Sequence, residues 1–365
     1  MFTLLIFLIV IAVLVLSHEF GHFIVAKWKG MRVDEFGFGF PPRLFGKQFG
    51  ETFYSLNLLP FGGFVKIWGE DDVEGVNDSR NFASRSAWDR FLVLVAGVGM
   101  NFVLAYVLFT IGHGIGIPGV VGAGEDARDA MVRVVDVIPG SPAAEAGVKA
   151  GDSILELIPS SDTESSWHPV TVHVSEIEQV QNFVKTHAGG DITMVVERVN
   201  EELRLPIRLR KEAPAGEGLL GIAMAKVGII RTAWYRAPWE GLLTTIATTK
   251  FVAGGLAFFF ANIVSSDVIN SVAGPVGIAK VAGQASALGF AYLLQLIAVL
   301  SINLAILNIL PIPALDGGRV LFLIIEKLRG KPIGVRVSQF AHTSGFIVLI
   351  LLMLVVTYFD LTKIF

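Results

Sequence analysis

Residues 2–26 read FTLLIFLIVIAVLVLSHEFGHFIVA, an apolar run of 25 residues that carries Ser17-His18-Glu19-Phe20-Gly21-His22 near its end. About 20 apolar residues in a helix cross a hydrocarbon core of about 30 Å, so the run makes a span with room for tilt. Residues four apart on a helix share a face. His18 and His22 therefore present two imidazoles to one divalent metal, and Glu19 beside them is placed to take a proton from water, the pattern of metal-assisted hydrolysis. The same five-residue pattern arises by chance in soluble chains. Inside an apolar span, however, two imidazoles and a carboxylate cost several kcal/mol unless partners satisfy them, which favours the ligand reading. Met1 to Leu16 has neither a basic head nor a small-residue cleavage site, so the run reads as a retained first span, about 2–26.

The composition agrees. Of 365 residues, 53% are hydrophobic and 17% charged, too apolar for an ordinary soluble chain and fit for an integral membrane protein. A net charge of -3 and the lack of a long basic run argue against nucleic acid as a partner. With no cysteine, only His, Asp and Glu remain as strong ligands for a catalytic metal.

Lys27, Lys29 and Arg32 follow the first span and mark its end as cytoplasmic. At about 1.5 Å per residue, His18 and His22 lie roughly 14 and 7 Å from Lys27, below the membrane surface on that side. Residues 52–56 alternate like a strand, and 58–68 is apolar but broken by Pro60, Gly62 and Gly63. It reads as a membrane-associated hairpin or loop, about 52–68, either lining a cavity at the site or resting at the interface. An acidic stretch, 70–74, returns the chain to water. A second span, about 91–111, carries Gly97-Val98-Gly99-Met100-Asn101, whose amide reads as an interhelical hydrogen bond. Residues 113–225 turn polar and strand-rich and form an extracytoplasmic α+β domain, in which His168 and His173 lack ligand spacing. The stretch 238–264 is apolar, but Lys250 and the topology of the later basic loops place it along the surface as an interfacial helix. A third span, about 288–310, holds Asn303 and Asn308, and a fourth runs about 346–359. Leu315-Asp316-Gly317-Gly318-Arg319 follows the third at the depth of His22. Catalytic zinc usually has three protein ligands and one open position, so Asp316 fits as the third; a helix-capping role is the plain alternative.

Residues 137–154, VIPGSPAAEAGVKAGDSI, resemble the core of bacterial PDZ domains, which implies peptide ends bound by strand addition; 121–132 precede the strand usually involved. Taken with His18-Glu19-Phe20-Gly21-His22 and Asn308-x-x-Pro-x-Pro-Ala-Leu-Asp316-Gly-Gly, the chain resembles the site-2 protease family, nearest its regulator-of-sigma-E protease branch, with one PDZ domain. The resemblance implies a polytopic α-helical membrane protein of four transmembrane helices, with its protease core in two halves, 1–112 and 226–365, around the PDZ insertion. It also implies Zn2+ on His18, His22 and Asp316, Glu19 as general base and acid, and substrate handling by Asn303, Asn308 and the Gly62-Gly63-Phe64-Val65-Lys66 loop. Expected with these are a bacterial inner membrane location, both termini and the PDZ domain extracytoplasmic, and cleavage inside the transmembrane segment of a single-pass protein already trimmed outside. Val98 stands where the family pattern has proline. A zinc transporter and a PDZ-bearing scaffold are the competing classes, but the first needs ligands on successive spans and the second has no use for Glu19.

Overall fold

The structure, a computed structural model, describes residues 2–70, 78–121, 127–160, 171–198, 201–214, 217–262, 274–331 and 333–362. It divides into two compact units, one made of Met1–Gly112 with Trp234–Phe365 and the other of His113–Ala233. Most of the acidic stretch (71–74), His168, Val170 and residues 122–126 and 263–264 lie outside the described residues.

The first unit is helical, with one sheet. Its helices are α1 (Phe2–Trp28), α2 (Ala87–Ile115), α5 (Ala237–Ala261), α6 (Pro275–Leu288), α7 (Phe290–Ile309), α8 (Asp316–Arg329) and α9 (Val335–Thr362). At 27 residues α1 is about 40 Å long, enough to cross a bilayer core. Ser86 starts α2: its hydroxyl accepts from the Asp89 amide at 3.1 Å and donates to the Asp89 carboxylate at 2.7 Å. At one end of the bundle, α6 lies on α1 with Gly283 against Thr3, and the Asp360 carboxylate near the end of α9 accepts from the Gly277 amide at 2.7 Å. Val10 and Leu14 of α1, Ala282 of α6 and Ile297 of α7 form a core at this end. Toward the other end, Gly345 of α9 packs on the Pro313 backbone.

Five described helices, α1, α2, α5, α7 and α9, are long and apolar enough to cross a membrane by length and composition. The helix expected over the fourth span is longer than 346–359, because the polar turns from Val335 continue the same helix. The stretch expected at the interface is one helix, α5, whose buried residues, Ala237, Gly241 and Thr245, all fall in its first turns. Gly241 rests on Thr110 near the end of α2, and the next described stretch opens with Gly274 against Asp360 and Val356. The chain therefore enters α5 and resumes at α6 at the same end of the bundle.

The hairpin is more regular than its sequence suggests. Two long strands, β1 (Val33–Phe49) and β2 (Thr52–Ile67), bend so that four segments stand side by side. Residues 35–38 pair with 53–56 on one side and with 63–66 on the other, while 43–49 pair outside 52–57. The stretch 58–68, expected as a hairpin or loop, is thus largely strand within a hairpin, and residues 63–67 form an edge. The bend needs Gly39, at φ 82°, where a Cβ would stand 2.8 Å from the Leu59 carbonyl oxygen. Asn57 closes it by donating to the Gly39 carbonyl at 3.1 Å. Glu51, at the far turn, takes hydrogen bonds from Arg80 and Lys27, which hold its carboxyl down at about 2 and tie the turn to the end of α1.

The second unit is a sheet with two short helices, α3 (Pro142–Glu145) and α4 (Ile177–Thr186). Its strands are β3 (Ile117–Val120), β4 (Arg128–Val137), β5 (Ser153–Pro159), β6 (Val172–His173), β7 (Asp191–Arg198), β8 (Glu201–Arg208) and β9 (Ile222–Ile230), in the order β3-β9-β4-β5-β7-β8 with β6 on β5. Val132, Val134, Ile154, Leu157, Val180, Ile192 and Met194 form its core. Because β9 completes the sheet, the unit runs past the expected boundary at 225 to Ala233. The strand at the end of 121–132 is β4, which pairs with β9 along its length and with β5 at Arg133–Ser153. Residues 222–225 of β9 pair with β4 only, since β3 covers 227–230. His173 is exposed and pairs with Glu156 at 3.1 Å. Asp152, 1% exposed, takes two hydrogen bonds of 2.7 Å from Arg198 and one from the Lys149 amide. Arg198→Ala leaves that carboxylate buried and short of its cation, so it should destabilise the unit by about 3 kcal/mol. Urea-dependent proteolysis of the full chain checks this, with the transition moving to lower urea.

Candidate metal centre

A helical rise of 1.5 Å per residue and 100° per step puts His18 and His22 of α1 one above the other. They are 8% and 9% exposed, and their Nε2 atoms are 3.3 Å apart. Asp316 reaches them from the start of α8: its Oδ2 lies 3.0 Å from His18 Nε2 and 3.3 Å from His22 Nε2. Among the described residues, these three are the group of His, Asp or Glu whose ligand atoms converge.

Three donor atoms at these spacings suit one ion. A tetrahedral site with bonds of about 2.0–2.1 Å has edges of about 3.3 Å, close to all three separations. Asp316 Oδ2 is buried and finds no hydrogen bond, the state of a ligand atom facing its ion position. One N–H of the surrounding shell is already fixed, because His22 Nδ1 sits 2.8 Å from the Val93 carbonyl. With the proton on Nδ1, Nε2 is left as a lone pair toward the cluster.

Glycines allow this approach. A Cβ on Gly97 of α2 would overlap His22 Nε2 and stand 2.8 Å from His18 Cε1, while one on Gly21 would overlap the Ala96 carbonyl. The two helices touch at bare backbone where the imidazoles need room. Gly317 and Gly318 do the same for Asp316: a Cβ on either would strike carbonyls of the 309–312 turn, so α8 could not begin folded back against α7. That turn is strained at Ala314, φ 80°, whose amide donates to His342 Nδ1 at 3.1 Å.

Glu19, half-buried on α1, meets the sheet. A Cβ on Gly63 would stand 3.0 Å from its Cγ and 2.8 Å from Val15 Cγ1, so the edge strand passes directly beside the carboxylate's stem. Gly62, Gly63, Phe64 and Val65 lie at or next to this edge. Asn303 and Asn308 are half-buried on α7, five residues and so about 140° apart around the helix, and neither belongs to the converging group. A cavity of about 1000 Å³, lined by Glu70, Arg90, Ala314, Arg319, Glu326 and His342 among others, lies beside the Asp316 turn. Ion pairs Arg319–Glu70 and Arg90–Glu326 are in its wall. Sequence reading took Asn101 only for a helix contact, yet its amide reaches His18 Nδ1 at 3.2 Å. Its position four residues after Gly97, on the same helix face, was the signal.

Comparison with known proteins fits this geometry. The profile of Peptidase family M50 matches residues 6–352. A provisionally named zinc metalloprotease of Agrobacterium fabrum is 31% identical, over 98% of this chain and 95% of the relative. One of Clostridium perfringens is 32% identical over 97% of each. The zinc metalloprotease RasP of Geobacillus kaustophilus is 28% identical over 98% of this chain and 97% of its own.

Gly97→Ala should push His22 off the cluster and cut bound zinc to well below one per chain. Gly99→Ala, at a glycine with open space around it, should leave zinc unchanged. Metal analysis of the two purified variants reads the difference.

Proposed function

The chain belongs to peptidase family M50, and from that premise we propose that it is a zinc-dependent endopeptidase of the site-2 protease type that cuts peptide bonds inside the membrane. The observation that carries the reading is the convergence of His18, His22 and Asp316 at tetrahedral spacing within a bundle of apolar helices. These three hold the ion. Bound there, zinc supplies Lewis acidity, which lets water ionise near neutral pH and polarises the scissile carbonyl.

The remaining chemistry belongs to the chain. Glu19 takes a proton as the water oxygen adds to the carbonyl carbon, then passes it to the amide nitrogen as the C–N bond breaks. A substrate helix hides its carbonyls in internal hydrogen bonds and must be unwound first. The edge at 63–67, beside Glu19, supports holding the unwound stretch as an added strand. Gly63 keeps that approach free of side chains, and Asn303 and Asn308 are assigned to substrate handling from α7 by family resemblance.

The substrates we infer are single-pass membrane proteins, anti-sigma factors among them, cut after a first extracytoplasmic trim, in the manner of the regulator-of-sigma-E branch. Residues 113–233 are read as the single PDZ domain, which takes a peptide end on the open edge 222–225 of β9. Lys27, Lys29 and Arg32 set the metal near the cytoplasmic face of a bacterial inner membrane, with the termini and the PDZ domain outside. In this topology α5 lies along the outer surface and four helices cross. A transporter would need further ligands leading away from the site, and among the described residues the converging group is one.

Purified chain in detergent with a model transmembrane substrate tests the reading. Wild type with zinc should cleave. Glu19→Gln should lower turnover by about 10²–10⁴ while zinc stays bound. Full proteolysis by Glu19→Gln would remove Glu19 from the mechanism, and no cleavage by the zinc-loaded wild type would favour a transporter or scaffold.

A further inference from the structure

Asn101 sits in the middle of α2, is fully buried, and is tied to a third helix by its backbone: the Ser301 hydroxyl of α7 donates to the Asn101 carbonyl at 2.8 Å, and Ser301 is fully buried too. Its side chain faces the metal cluster. In one orientation of the amide, Nδ2 lies 3.2 Å from His18 Nδ1, while Oδ1 is buried with no partner. This orientation conflicts with metal binding. Only a lone pair on Nε2 can ligate, so the ring proton of His18 must sit on Nδ1, and Nδ1–H would then face another N–H donor. Amide oxygen and nitrogen are assigned by the hydrogen bonds they make, and turning the amide by 180° puts Oδ1 against Nδ1–H.

We propose that Asn101 is a positioning residue for the metal centre, its Oδ1 accepting from His18 Nδ1–H and so holding Nε2 toward the ion. The inference rests on the assignment of His18 as a ligand. The second imidazole is held in the same way and by the same helix, since His22 Nδ1 stands 2.8 Å from the Val93 carbonyl. One difference sets them apart. Val93 contributes backbone, which no substitution removes, whereas Asn101 contributes a side chain, so α2's hold on His18 can be tested by mutation. Gly97 lies between the two contacts, one turn from each, and its missing side chain leaves the imidazoles their place. In this arrangement α2 supplies no ligand, yet it orients both histidines.

Outer-shell partners of metal-bound histidine typically account for 10–100-fold in affinity. Zinc affinity is read by chelator competition on the purified full chain in detergent, for wild type, Asn101→Leu, Asn101→Asp and His18→Ala. Asn101→Leu should weaken binding about 10–100-fold, and Asn101→Asp, which keeps an acceptor for Nδ1–H, should bind within a few-fold of wild type. A purely structural Asn101 would lower the unfolding temperature in Asn101→Leu with zinc affinity unchanged, and that result would overturn the proposal. If His18→Ala also binds as wild type does, the ligand assignment itself fails; if it loses zinc while Asn101→Leu does not, only the positioning role fails. Should the leucine variant not fold, 15N NMR of histidine-labelled, zinc-loaded wild type decides. A proton on His18 Nδ1 is expected, and a proton on Nε2 would overturn the proposal.

Discussion

Two imidazoles and a carboxylate cannot rest among apolar helices unless something answers their polarity, and the arrangement of the first unit follows from that constraint. His18, His22 and Asp316 answer one another's need through a shared ion position, with their donor atoms 3.0–3.3 Å apart. Each ligand also has to be delivered without a competing side chain. Gly21 and Gly97 let α1 and α2 meet at backbone, and Gly317 and Gly318 let α8 fold back on the end of α7. The apolar lengths of these helices are the general requirement of a membrane, but the glycines are specific to this site.

The same economy applies beside the ligands. Gly63 brings a strand edge to the stem of Glu19, so a backbone with open hydrogen-bond positions lies next to that carboxylate. A free edge in water invites aggregation, and residues 62–65 of this one are half-buried. In the proposed mechanism, proton transfer and strand pairing share one place on α1.

Much of this was legible in the sequence, for identifiable reasons. The His18–His22 spacing is a helical signal that tertiary context does not alter, and the Leu315-Asp316-Gly317-Gly318 turn after the third span supplies the carboxylate that joins them. The sheet was harder to read. Its four segments come from two bent strands, and the bends fall at glycines, which in a linear reading of 58–68 look like loop. The alternation in Phe36-Gly37-Phe38-Gly39-Phe40 was the missed strand signal. The strand β9 was hidden because it straddles the expected domain end at 225, and without it the far side of β4 looks open. Asn101 was noted but read as packing, since a lone amide in a span carries no spacing to a partner 83 residues away.

Three light-atom ligands, His18 and His22 of α1 and Asp316 at the start of α8, are the centre on which the rest depends. Zinc-edge X-ray absorption on the purified, zinc-loaded chain tests this most directly. About four nitrogen or oxygen neighbours at about 2.0–2.1 Å are predicted, with outer-shell scattering from two imidazoles, and His22→Ala should bind well below one zinc per chain. A chain that takes up no zinc, or a spectrum with no imidazole scattering, would contradict it.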